Sequence, residues 1–168
     1  LRKDAVDLEE PKGSVKFLGL KEGLHIKKVS FSYPGRKPAL KEVSVSIPKG
    51  RMTALVGKSG SGKTTLVDLI LGLYENCGGN ILLNGKELME YDMNSYRQRV
   101  GYVPQDPQLF NTTVRENLLW AAPEADEKTI WHACRLANAE KFVRELPEEL
   151  DTILGDRGVR LSGGQRQR

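Results

Sequence analysis

Cysteine is nearly missing from this 168-residue chain, and the two present, Cys77 and Cys134, lie far apart with no C-x-x-C partner. That excludes a disulfide framework and a cysteine zinc site, and fits a reducing compartment. Long apolar runs are missing too: nothing approaches the roughly 18 residues that cross a bilayer, and no cleavable signal precedes the first lysines. The stretch is therefore expected to be soluble. Charge is not massed in one sign either. The net charge is +4 with 29% charged residues scattered along the chain, which describes a surface rich in lysine and arginine more than a basic interface. Repeats and low-complexity tracts are absent.

What is abundant is glycine, and it is placed with purpose. Gly57-Lys58-Ser59-Gly60-Ser61-Gly62-Lys63-Thr64 fits the phosphate-loop pattern G-x-x-x-x-G-K-S/T. In that pattern glycines let backbone N–H groups turn toward phosphates, the lysine reaches the terminal phosphates, and the hydroxyl holds Mg²⁺. Met52 to Val56 before the loop predicts a short buried strand, and Leu66, Leu69, Ile70 and Leu73 after it predict one face of a packed helix. Such a helix aims its N-terminus at an anion.

The first half of the chain reads as mainly β. Leu24, Ile26, Val29, Phe31 and Tyr33 alternate with a one-residue slip at Lys27-Lys28, which predicts a strand with a bulge. Val43, Val45 and Ile47 predict its neighbour, with Pro34 to Pro38 as the turn between them. Asn80 to Leu83 predicts another strand, closed by the tight-turn dipeptide Asn84-Gly85. An apolar run at Val100 to Val103 places Gln105 at a strand end. The period then changes. Thr113 and Glu116 form a capping box for a helix through Trp120, and Ile130, Ala133, Cys134 and Ala137 mark a face of a helix over 125–137. A shorter helix over 139–145 stops near Pro147.

Ser162 and Gln165 repeat the capping-box spacing. Helix initiation alone would explain them. Yet a serine cap followed by Gly163 and Gly164 also exposes backbone donors at a positive helix end, a second anion site. Gln105 by itself reads as a surface glutamine, and Tyr33 as a strand aromatic. His25 on a strand and His132 on a helix read as surface or partly buried histidines, and Glu145 to Glu149 as a solvated acidic run.

The phosphate loop, Val103-Pro104-Gln105-Asp106 and Leu161-Ser162-Gly163-Gly164-Gln165 stand in that order at suitable separations. With them the chain, from about Leu24 to Arg168, resembles the nucleotide-binding domain of ABC transporters. The segment Gln108 to Asn117 is similar to the exporter type. So is Gly155-Asp156-Arg157-Gly158, where Asp156 and Leu154 replace the family's more usual Glu and Val. The resemblance implies an α/β fold: a P-loop NTPase (RecA-like) core with an antiparallel β subdomain and a helical subdomain, the C-terminal part of the core missing. It divides the chain into a linker over 1–22, a β subdomain and P-loop core over 23–104, and the Gln loop, helical subdomain and signature over 105–168.

The resemblance further implies ATP and Mg²⁺ as cofactors. ATP would be held by Tyr33 on its adenine and by Gly57, Lys58, Ser59, Gly60, Ser61, Gly62, Lys63, Thr64 and Thr65 on its phosphates. Ser162, Gly163, Gly164 and Gln165 would face the nucleotide of a second nucleotide-binding domain. Lys63 and Gln105 take catalytic roles, and Thr64 and Gln105 attend the metal. The implied partners are that second domain, in an ATP-dependent dimer, and the transporter's transmembrane domain at the cytoplasmic face of a membrane, with no nucleic acid expected. The strand ending in Asp-Glu and the switch histidine of the family lie beyond the signature. This stretch alone is therefore expected to bind ATP weakly, to hydrolyse it little, and to bare an apolar sheet edge. The alternatives are an ABC-type ATPase acting on DNA and a nucleotide-binding module without turnover.

Overall fold

The computed structural model describes residues 13–155 and 161–168. They fall into two compact units, one ending at Gly101 and the other beginning at Tyr102. The first unit is built on a four-stranded antiparallel sheet. Strands β1 (Gly23–Phe31), β2 (Leu40–Pro48), β3 (Gly78–Leu83) and β4 (Lys86–Glu87) lie in the order β2-β1-β3-β4. Helix α1 (Lys63–Ile70) follows β2, and α2 (Met93–Arg97) follows β4. Alternation along β1 turns Leu24, Ile26, Val29 and Phe31 inward, where they join Leu66, Leu69, Ile81 and Leu83 in one buried cluster.

The expected bulge is present. Between Ile26 and Val29, β1 uses three steps against two on β2 (Val45 to Val43), and between Lys27 and Ser30 three against two on β3 (Asn80 to Gly78). Lys28 absorbs the surplus with φ 49°. Its N–H donates to Ser44 Oγ at 2.9 Å, while Glu42, itself at φ 45°, donates its N–H to Ser30 Oγ at 2.9 Å. Two serine hydroxyls thus replace lost ladder bonds. The turn between β1 and β2 is closed by Arg36 N–H to Tyr33 O at 3.0 Å, with Gly35 at φ 68°. Proline followed by a left-handed glycine is the chemistry of a type II turn. Asn84 and Gly85, at φ 51° and 81°, form the two-residue hairpin between β3 and β4.

Two expected strands are not formed. Residues 52–56 and 100–103 carry no strand pairing, Met52 and Val56 are almost fully exposed, and Tyr102 and Val103 are exposed as well. Apolar composition makes a strand only where a neighbour completes its ladder, and no described segment pairs with either run. Leu73 also departs from expectation. Helix α1 ends at Ile70 with Leu71 as its C-cap, Gly72 turns left-handed at φ 65°, and Leu73 N–H returns to Asp68 O at 3.0 Å, leaving the Leu73 side chain exposed.

The second unit is helical, with α3 (Val114–Leu119), α4 (Glu127–Leu136), α5 (Glu140–Arg144) and α6 (Gly163–Arg166). Val114, Ile130, Cys134, Val143, Leu150 and Leu154 form its core. Burial pushes the Cys134 thiol above its usual range, so it packs as a small apolar group. The boundaries are set by caps. Asp126 caps α4 through Thr129 N–H at 2.8 Å. At α3, Glu116 N–H donates to Thr113 Oγ1 at 3.1 Å and Thr113 N–H to Glu116 Oε2 at 3.1 Å. Thr113→Ala is expected to lower stability by about 1 kcal/mol, read as a reduced denaturant midpoint with unchanged slope. An unshifted midpoint would mean the cap is replaced by water.

Candidate functional site

The Gly57–Thr64 loop folds around its own lysine. Lys63 Nζ donates to the carbonyls of Gly57 and Lys58, both at 2.8 Å, and reaches Ser61 Oγ at 3.4 Å. Ser61 N–H donates to Lys58 O at 3.2 Å. Gly62 is required by space as well as by torsion, and Gly57 is hemmed in by the Ser61 side chain. A Cβ on Gly57 would stand 2.5 Å from Ser61 Oγ, and one on Gly62 2.6 Å from Leu40 Cδ2 and 2.8 Å from Ala39 O. Gly60 and Gly62 sit at φ 76° and 87°.

Gly62 is the N-cap of α1 and offers no side-chain oxygen. By contrast Asp92, Thr113, Asp126 and Ser162 cap their helices with their own oxygens. The first turn of α1, at Lys63, Thr64 and Thr65, therefore keeps N–H donors that no cap consumes. A helix start with spare donors, a cation and a glycine cradle suits an anionic phosphate chain. Thr64 is exposed at this start. Among the described residues no group of three or more His, Cys, Asp or Glu could hold a metal.

Tyr33 stands beside this turn. Its hydroxyl lies 3.3 Å from Thr65 Oγ1, and its ring meets Phe31 at 4.9 Å and Tyr74 at 5.5 Å, both edge-on. The first unit thus gathers Tyr33, the loop and Thr65. The second unit gathers the remaining expected residues. Gln105 is exposed, and its carbonyl accepts Gln167 Nε2 at 2.9 Å. Arg166 Nη1 stands 3.9 Å from Asp106 Oδ1. At α6 the box is closed both ways: Gln165 N–H to Ser162 Oγ at 3.3 Å and Ser162 N–H to Gln165 Oε1 at 2.9 Å. Ser162, Gly163 and Gly164 are exposed, so the helix start faces outward.

His25 lies on β1 with Nδ1 3.0 Å from Ser46 Oγ, and His132 is exposed on α4. Asp156, Arg157 and Gly158, and residues 1–12 of the expected linker over 1–22, lie outside the described residues. Two residues with a strong local role carry no signal in the sequence. Tyr96 and Arg97 bond the far end of α1, and no sequence motif marks them. Asp92, three positions before Ser95, was the available signal for the turn that carries them.

The ABC transporter family profile matches residues 40–168. The heterocyst differentiation ATP-binding protein HepA of Nostoc sp. is 46% identical over 156 residues, 93% of this chain and 26% of that protein. The ATP-dependent lipid A-core flippase of Vibrio parahaemolyticus is 41% identical over 167 residues, 97% of this chain and 29% of the flippase. A solved bacterial Atm1-family ABC exporter with ATP bound superposes with TM-score 0.88 and 30% identity, covering 97% of this chain and 30% of the exporter. The chain thus spans less than a third of each of these proteins.

Proposed function

The chain belongs to the ABC transporter family, and on that premise we propose that it is the ATP-binding domain of an exporter, which binds and hydrolyses ATP to drive transport. The observation that carries this reading is the uncapped start of α1 at Gly62, with the Lys63 amine folded over the loop. Lys63 would place its cation against the terminal phosphates while the first-turn amides hold their oxygens. Thr64 would take part in holding Mg²⁺, which neutralises charge on the transferring phosphoryl group. Tyr33 would present an aromatic surface to the base, and Gln105 would orient water.

The exposed Ser162–Gly164 start is the second anion site, offered to the nucleotide of another copy or a sister domain. One ATP needs only one such cradle, so two cradles per chain fit two nucleotides shared across a dimer. The remaining partner is a transmembrane domain, placing the chain at the cytoplasmic face of a membrane. Among the described residues no helix is long and apolar enough to cross one. The flippase and exporter relatives support transport, and give the DNA-acting alternative no support.

The test is phosphate release by the full protein in lipid vesicles with Mg-ATP. Turnover at ordinary enzyme rates is expected, of order 1 to 10³ per second. Ser162→Arg should depress both turnover and ATP-driven association of the domains, because a bulky cation would fill the outward-facing helix start. Hydrolysis at the wild-type rate in that variant would remove the shared-nucleotide reading. Absence of hydrolysis in the wild type would remove the ATPase reading.

A further inference from the structure

Helix α1 is held at the end away from the loop. The carbonyls of its last residue Ile70, its C-cap Leu71 and the following Gly72 have no intrahelical partner to expect, yet each of the three meets a donor from α2. Ile70 O accepts Tyr96 Oη–H at 2.9 Å, Leu71 O accepts Arg97 Nε at 3.3 Å, and Gly72 O accepts Arg97 Nη2 at 2.7 Å. Met93 from the same turn covers Gly72, where a Cβ would lie 2.2 Å from Met93 Cε. The turn itself is fixed. Asp92 caps it, and Tyr96 is 3% exposed with its ring 5.3 Å from Phe17. Burial pushes the Tyr96 phenol up to about 12, so it remains a donor at any working pH.

The two ends of α1 differ in kind. The N-terminal end has no side-chain cap and is open to a ligand, so its placement depends on the buried face of Leu66 and Leu69 and on whatever grips the C-terminal end. A guanidinium at that end also complements the helix dipole. Eight residues make a rod about 12 Å long, short enough that a 1 Å drift at one end is felt at the other. Misplacement on that scale lowers catalytic efficiency steeply.

We infer that Tyr96 and Arg97 are positioning residues for the nucleotide, a clamp on the carbonyls at and just beyond the C-terminal end of α1 that fixes how Lys63, Thr64 and Thr65 meet the triphosphate. The inference rests on the ATP-binding reading and names what holds that site in register. Both are bonded to carbonyls at the end of α1 away from the loop. Both act through the helix.

The experiment compares the full protein with its Tyr96→Phe, Arg97→Ala, Arg97→Lys and Lys63→Ala variants. Melting temperature, Mg-ATP affinity, and kcat and KM per folded molecule are read for each. Tyr96→Phe keeps the ring and loses only the hydroxyl, and should weaken Mg-ATP binding about threefold. Arg97→Ala should weaken it about tenfold, the scale of a lost charge-assisted hydrogen bond. Arg97→Lys should recover part of the loss, since one ammonium can serve one of the two carbonyls but lacks the planar fork. A scaffold role without positioning would lower the folded fraction and leave KM per folded molecule unchanged. That result in Tyr96→Phe and Arg97→Lys overturns the clamp even where Arg97→Ala fails to fold. Failure of the wild type to bind Mg-ATP, or binding untouched by Lys63→Ala, overturns instead the reading on which the clamp rests.

Discussion

Replacing Lys63 with alanine should lower ATP hydrolysis by the full protein about 10²- to 10³-fold, the usual cost of removing a preorganised charge stabiliser. The loss should appear with little change in melting temperature. The Lys63 amine is bonded to the Gly57 and Lys58 carbonyls at the rim of the unit, not to its core, and rim bonds of this kind add little to stability because water replaces them. The loss should fall on kcat as well as on ATP affinity, since charge on the transferring phosphoryl oxygens grows toward the transition state. Lys63→Arg should not restore activity. Its larger planar head does not match a pocket shaped for a compact ammonium bonded to two carbonyls and Ser61 Oγ. Retention of turnover within a few-fold in Lys63→Ala would show that the loop is not the phosphate site.

The largest stability effect should come from Gly79→Ala. A Cβ there would lie 2.3 Å from Lys28 O and 2.4 Å from Lys27 O, at a backbone φ of 75°. Both obstacles are main-chain atoms of the bulge in β1, so no side chain can rotate away to make room. Left-handed strain alone costs about 1–2 kcal/mol. With the collision added, a loss of about 3 kcal/mol or more is expected, a large share of the 5–15 kcal/mol that typically holds a domain. The adjacent Gly78 is an internal control, because a Cβ there meets nothing within 4 Å. Gly78→Ala should shift stability by less than about 1 kcal/mol. Thermal melting of the two variants side by side decides the point, and equal melting temperatures would mean that the bulge retreats at no cost.

Features set by local chemistry were legible in the sequence. Lys27-Lys28 broke the alternation by one place, and the ladder is broken there. Asn84-Gly85 announced a two-residue hairpin, and the capping boxes at Thr113 and Ser162 formed with both reciprocal bonds. These signals concern residues a few positions apart, where torsion and hydrogen-bond reach decide the outcome. Features that depend on a distant partner were not legible. Met52 to Val56 and Val100 to Val103 have strand composition, but a ladder is a property of two segments, and no pattern within one of them reports on the other. The clamp shows the same limit. Tyr96 and Arg97 meet Ile70, Leu71 and Gly72 across 25 or 26 positions, and neither residue type is unusual at the end of a short helix. The phosphate loop was readable because its geometry is local and its glycines are dictated by torsion. The opposite anchor of the same helix was not.

The surplus residue of β1 has a bearing on how the sheet is indexed during folding. Because β2 and β3 both step around Lys27–Lys28 at the same point, sliding β1 by one place would mismatch two seams together. It would also turn Leu24 and Ile26 toward water and set Asn80 or Gly78, in place of the left-handed Gly79, under the protruding carbonyls. The irregularity therefore works as a detent. It permits one alignment of three strands and rejects its neighbours.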